Sequence, residues 1–141
     1  MDSKRFIVTV VDDSIANLQV AKNALAESYD VFTAPSAAKM FDSLSRYKPN
    51  LILLDILMPD MDGYEAIKIL KSNPDTRDIP VIFISGVDSI ESIIEGLSLG
   101  AVDHISKPFI PQLLHKRVEL HLTVEAQGLR LKALEEKLKH L

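Results

Sequence analysis

Three acids and one base each stand where a short apolar run ends. Asp12-Asp13 follows Phe6–Val11, Asp55 follows Leu51–Leu54, and Lys107-Pro108 follows Ala101–Ile105. Carboxylates brought together from separate segments repel one another, and a hard cation with oxygen ligands relieves that repulsion. Residues of these types point to Mg²⁺-dependent phosphoryl chemistry, on one condition: the runs must share an edge. In an open parallel sheet the carboxyl ends of the strands do so, and ligands bind there, where the strand order switches.

The rest of the chain supplies the frame. Phe6–Val11 is short and rich in β-branched residues, as expected of a buried strand. Ile15, Leu18, Val20, Ala21 and Leu25 then recur at helical spacing, with Asp13 or Ser14 placed to cap the start. A strand over Val31–Ala34 precedes a helix carrying Ala37, Met40, Phe41 and Leu44. Leu51–Leu54 reads as a strand buried on both faces. Met58–Gly63 is a loop, in which Asp60 and Asp62 suit helix capping, and the next helix carries Ala66, Ile67, Ile69 and Leu70. Pro80–Ile84 is the fourth strand and Ser85-Gly86 the turn out of it. Ile90, Ile93, Ile94, Leu97 and Leu99 mark a helix that Gly100 stops. Ala101–Ile105 is the last strand, and a helix runs onward from Pro111. Five strand–helix units predict an α/β domain with a parallel sheet, helices on both faces and right-handed crossovers.

Bulk properties agree with this and exclude other classes. The 141 residues are 47% apolar and 26% charged, which fits a folded domain plus an appendage. The net charge of -4 is uneven: residues 113–141 carry six basic and four acidic side chains, leaving an acidic body. That argues against direct contact with nucleic acid. The chain has no cysteine, hence no disulfide or thiolate metal site. Its first residues lack a signal-peptide core, and no apolar stretch reaches membrane-spanning length. These features read as a soluble, cytoplasmic protein that does not engage membranes.

The acid pair after the first strand, Asp55 followed by Met58-Pro59-Asp60-Met61-Asp62-Gly63, Ser85-Gly86, and Lys107-Pro108 occur in a specific order. Together they resemble the receiver domain of two-component response regulators over roughly residues 5–121. The resemblance implies a flavodoxin-like, doubly wound five-stranded sheet in the order 2-1-3-4-5. It implies a receiver domain over 1–121, with a helical extension over 122–141.

Each motif residue acquires a role through that resemblance. Asp55 is the expected phospho-acceptor, since a carboxylate at a strand end can attack an activated phosphorus in line. Asp12, Asp13, Asp55 and the backbone carbonyl of Leu57 are the expected Mg²⁺ ligands, with Asp13 the direct ligand of the acid pair and Mn²⁺ an able substitute. Lys107 would pair with Asp55 at rest and with the phosphoryl group after transfer. Ser85 would donate to a phosphoryl oxygen and draw the following loop inward. Gly86 leaves room for the incoming group, and the Lys107–Pro108 peptide is expected to be cis. His104 departs from the pattern, because the family most often has Tyr or Phe there. Two readings stay open for it: a buried imidazole that replaces the aromatic switch, and a surface histidine without a signalling part. Leu57 and Val87 flank the acceptor loops and are expected to hinder attacking water.

The last helix outruns the domain. Arg117, Val124, Leu131 and Leu138 fall at a, and Leu113, Leu120, Gln127, Leu134 and Leu141 at d, of a heptad repeat, with Arg130 at g and Glu135 at the following e. A parallel homodimeric coiled coil fits this; so does a single amphipathic helix folded back on its body. Arg117 in the seam and Gly128 inside the helix are its weak points. His121 is expected to face solvent or a partner helix. The helix resembles the linker joining receivers to HD-GYP-type cyclic-di-GMP phosphodiesterases, which suggests a fragment of a longer protein or a free-standing receiver with a dimerising tail.

The function implied is a switch in a two-component phosphorelay, not an enzyme beyond its own phosphorylation and dephosphorylation. Its expected partners are a histidine kinase or phosphotransfer protein and small phosphodonors. Two competitors are weighed against it. A haloacid-dehalogenase-type phosphatase would need Asp-x-Asp after the first strand and a cap domain. A receiver-like module that is never phosphorylated would have no need of the full set of Asp12, Asp13, Asp55, Ser85 and Lys107.

Overall fold

The computed structural model describes residues 5–86 and 89–140; Val87 and Leu141, invoked above, lie outside them. Five strands, β1 (Ile7–Val11), β2 (Asp30–Ala34), β3 (Leu51–Asp55), β4 (Val81–Ser85) and β5 (Asp103–Ser106), alternate with five helices. The helices are α1 (Ile15–Leu25), α2 (Ala37–Leu44), α3 (Gly63–Ser72), α4 (Ile90–Ser98) and α5 (Pro111–Lys139). All strand pairs are parallel and the order is β2-β1-β3-β4-β5. The flavodoxin-like order is therefore observed, with its switch between β1 and β3.

Apolar runs without alternation suit strands covered on both faces, and β3 and β4 are buried throughout. Val11, Ile52, Leu54 and Phe83 pack on one face with α2 and α3. Val8, Val10, Leu53 and Ile84 pack on the other with α1 and α5. Each fully buried Leu or Ile contributes roughly 1.5–3 kcal/mol, so the central strands form a stiff platform. Side-chain caps fix where α1 to α4 begin: Ser14, Ser36, Asp62 and Ser89 each accept a backbone N–H of the first turn.

The differences from the sequence reading have local causes. Asp55 and Ser85 are the last residues of their strands rather than the first of a loop. The fifth strand starts at Asp103, not Ala101. Gly100 adopts a φ of 113°, and the Ala101 N–H turns back to the Gly96 carbonyl, closing α4. Ile15 and Val20 of α1, and Ile90, Ile94 and Leu97 of α4, are exposed rather than core. Gly96 is the one fully buried residue of α4, seated where a Cβ would strike the Phe83 ring. The last helix runs unbroken through 121, for 29 residues or about 43 Å. No helix among the described residues is long and apolar enough to cross a membrane.

Candidate functional site

β1, β3 and β5 are neighbours or near neighbours in one parallel sheet, so their carboxyl ends open onto one crevice. Asp12 extends β1 by one residue and its backbone N–H bonds to the Ala34 carbonyl, which draws it inward. Asp55 ends β3, paired with Ile84 of β4. Both carboxylates are buried, whereas Asp13 is exposed at the crevice mouth. One oxygen from each of the three lies within 4.8 Å of the others.

Lys107 enters from just past β5, where its backbone N–H bonds to the Ser85 carbonyl at 2.9 Å. The peptide that follows, Lys107–Pro108, is cis. Its Nζ sits 2.8 Å from Asp12 Oδ2 and 3.1 Å from Asp55 Oδ1. The sequence reading assigned the lysine to Asp55 alone; in the structure it bridges both buried acids. Asp12 Oδ1 accepts the Ser14 N–H at 2.9 Å. The ammonium thus engages Asp12 Oδ2, whereas Asp55 Oδ2 is buried without a hydrogen-bond partner among the described residues.

One ammonium against three carboxylates leaves a net negative crevice. Burial, then the Asp12 charge, pushes the Asp55 carboxyl up to about 6, despite the opposing pull of Lys107. Burial alone would lower Lys107, but the Asp12 and Asp55 carboxylates outweigh it and hold its pKa above the usual value. The residues fit a hard divalent cation. All donors are oxygens, they cluster at ligand spacing, and one buried oxygen, Asp55 Oδ2, has no hydrogen-bond partner among the described residues. The first helix is capped by Ser14, which leaves Asp13 without that duty.

The remaining predicted residues border this crevice or sit near it. Ser85 is fully buried at the end of β4. Gly86 is exposed, with open space where a Cβ would be. Leu57 is largely exposed, two residues beyond the acceptor. His104 faces the Phe83 side of the sheet through the β4–β5 register. Its Nε2 is shielded from solvent and has no hydrogen-bond partner among the described residues, while the residue as a whole is half-buried.

Three contributors escaped the sequence reading. Gly63 opens α3 so close to β3 that a Cβ would collide with the Asp55 carbonyl, while the capping box of Asp62 and Glu65 fixes that turn. Tyr64 forms a T-shaped pair with Phe83 and donates its hydroxyl to the Ser92 carbonyl of α4 at 3.2 Å. Asp103 of β5 binds Arg117 and His121 of α5; a carboxylate in the middle of a predicted strand was the available signal. His121 is thus held by its own body rather than facing solvent or a partner.

Residues 8–119 match the family model described as response regulator receiver domain. A protein of Vibrio cholerae named probable cyclic di-GMP phosphodiesterase is 41% identical over 121 residues, covering 86% of this chain and 27% of that protein. Response regulator PleD of Caulobacter vibrioides is 40% identical over 112 residues, covering 79% of this chain and 25% of its own length. The chain thus spans about a quarter of the length of these relatives. Among solved structures, a CheY-like response regulator receiver domain protein of Methanospirillum hungatei superposes with a TM-score of 0.81 at 28% identity. That match covers 89% of this chain and 99% of that one.

Proposed function

Because the chain belongs to the response regulator receiver domain family, whose general role is that of a phosphorylation switch, we propose that Asp55 accepts a phosphoryl group in a Mg²⁺-dependent reaction and that the resulting change governs a dimeric output. The observation that carries this is Asp55 Oδ2: a buried carboxylate oxygen with no hydrogen-bond partner among the described residues, beside two further acids and one lysine.

In the reaction, the ionised Asp55 carboxylate attacks phosphorus. The bond from phosphorus to the donor nitrogen or oxygen breaks as the acyl phosphate forms; a histidine donor's imidazole takes a proton as it leaves, whereas acetate leaves from acetyl phosphate as the anion. Asp12, Asp13, Asp55 and the Leu57 carbonyl would hold Mg²⁺, or Mn²⁺ in its place, which when bound neutralises charge on the phosphoryl oxygens. Lys107 stands ready to move from the Asp12–Asp55 pair to the new phosphoryl group. Ser85 donates its hydroxyl to another phosphoryl oxygen, and Gly86 leaves that side unobstructed. His104, its ring nitrogen already shielded, takes the steric part that an aromatic residue has elsewhere in the family.

The donors are a histidine kinase or phosphotransfer protein, or a small phosphodonor, in the cytoplasm. Any enzymatic output belongs to another domain or another protein. Residues 1–121 act as the receiver and 122–141 as the coiled-coil signalling linker, through which two copies pair.

The test is intact-mass analysis after acetyl phosphate and Mg²⁺. One phosphoryl adduct is expected on the wild type, not formed when EDTA is present from the start, and absent in Asp55→Asn. An unmodified wild type would instead support the inert module, and turnover of free phosphomonoesters the phosphatase.

A further inference from the structure

Helix α5 changes surroundings along its length. Leu114, Val118 and Leu122 are buried against β1, β3, β4 and α1, so its first three turns belong to the body. On the opposite face, and beyond them, the apolar heptad positions from Leu120 onward face outward. Leu120, Val124, Leu131, Leu134 and Leu138 are each more than half exposed. A row of large apolar side chains this exposed lacks the cover that a heptad stripe takes in a folded chain.

Arg117 occupies the heptad position that fits worst, and the structure shows it employed elsewhere. Its Nη1 donates to both carboxylate oxygens of Asp103 at 2.8 Å, and His121 Nε2 lies 3.0 Å from Asp103 Oδ2. The Asp103 carboxylate also accepts the His104 N–H at 2.8 Å. Burial would raise Asp103, but these partners, His121 foremost, hold it below the usual carboxylate range. At about 100° per residue, Arg117 lies on the border between the body-facing and outward-facing sides of the helix. Asp103 has drawn it to the body. Leu113, one heptad before Leu120, lies beside His104, Pro108 and Ile110 at the same flank. A second helix would need to approach within 8–10 Å of the axis there, on a side that the body's own residues border.

We infer that Asp103, by holding Arg117 and His121, sets the point at which two copies begin to pair: the seam starts at Leu120 and runs to Leu138, and residues 111–118 stay outside it. This rests on the dimer reading above. The occupant is a second copy because the exposed stripe is self-complementary, with Arg130 at g facing Glu135 at e of the other helix in a parallel pair. β5 carries the clamp four residues before Lys107, so the first paired layer is joined to the strand that ends at the phosphoryl crevice.

The chain has no cysteine, so single replacements at three like heptad positions report directly. Leu113→Cys, Leu120→Cys and Leu134→Cys in the full chain, oxidised under identical conditions, are expected to give at least fivefold more disulfide-linked dimer at 120 and 134 than at 113. Adding Asp103→Asn to Leu113→Cys is expected to raise its yield at least threefold; Arg117→Gln serves if that variant does not fold. Equal yields at 113 and 120 would overturn the inference while the dimer stood, and so would a Leu113→Cys yield indifferent to Asp103→Asn. No cross-link at any position, with monomeric sedimentation, would overturn the dimer itself and this inference with it.

Discussion

The crevice at the carboxyl edge of the sheet and the outer half of α5 are opposites in construction. In the crevice, charged groups are buried in a rigid apolar frame, and Asp55 keeps an oxygen without a hydrogen-bond partner among the described residues. In the outer helix, apolar groups are exposed on an element that has no frame around it. Each breaks the ordinary rule of burial in the opposite direction. A site that must take and release a charged group has to hold unsatisfied polarity, whereas a surface that must pair has to hold unsatisfied apolar area. Between them lie Asp103, Arg117 and His121, a part-buried set whose members satisfy one another.

The largest effect expected from disturbing this contrast is at Lys107. The lysine is the one cation bound to the buried acids among the described residues. Lys107→Ala is predicted to slow phosphoryl transfer to Asp55 by about 10²–10³, the usual cost of removing one preorganised donor of positive charge. Stopped-flow or phosphorylation time courses measure it. A change under threefold would mean that the crevice tolerates its own repulsion without the lysine.

The second break is on the helix. In the paired state Leu134→Ala removes a large apolar side chain from both chains at once. At roughly 1.5 kcal/mol per chain, the dimer should weaken about a hundredfold. Sedimentation across a concentration series reads this directly. A dimer of unchanged affinity would place the seam elsewhere or show that α5 does not form it.

How much of this was legible in the sequence follows from the same contrast. The crevice was legible because a parallel sheet forces strand carboxyl ends onto one edge, so that residues 12, 55 and 107 needed only their strands to be recognised, while Ser85 was marked by the family resemblance. Side-chain geometry within it was not: nothing local says that Lys107 lies nearer Asp12 than Asp55. Helical periodicity in α4 gave the stripe of Ile90, Ile94 and Leu97 correctly, but periodicity does not tell a face turned inward from one turned out. Gly96, unremarkable in sequence, is what lets that helix approach Phe83. Asp103 was missed because its partners lie 14 and 18 residues away on another element.

The third prediction concerns the stability that the crevice gives up. Asp55 sits near 3.8 unfolded and about 6 folded, so the folded chain binds its proton more tightly. Folding is therefore favoured at low pH, and the cost of ionising Asp55 grows as pH rises from about 4 to 6, then levels off. Asp55→Asn removes that cost. In metal-free protein it is expected to be more stable than wild type by on the order of 2 kcal/mol at pH 7.5, with the difference shrinking below pH ~4. Urea denaturation at the two pH values tests the sign. A variant less stable than wild type at pH 7.5 would show that the pairing with Lys107 outweighs burial.

The smallest effect lies at Gly128, on the far side of the comparison. The helix continues through this glycine, and a Cβ there would meet nothing within 4 Å. An alanine therefore gains no contact and loses none; what changes is the backbone entropy that glycine forfeits on entering a helix. Gly128→Ala is expected to stabilise the outer half of α5 by about 1 kcal/mol, seen as slower amide exchange over residues 123–139 and a dimer tightened a few-fold. Phosphorylation of Asp55 should keep its wild-type rate, because the clamp at Asp103 and the body-bound turns of α5 stand between the two sites. A changed rate would mean that the outer helix reports back to the crevice, and that the two regions are not separable in the way their construction suggests.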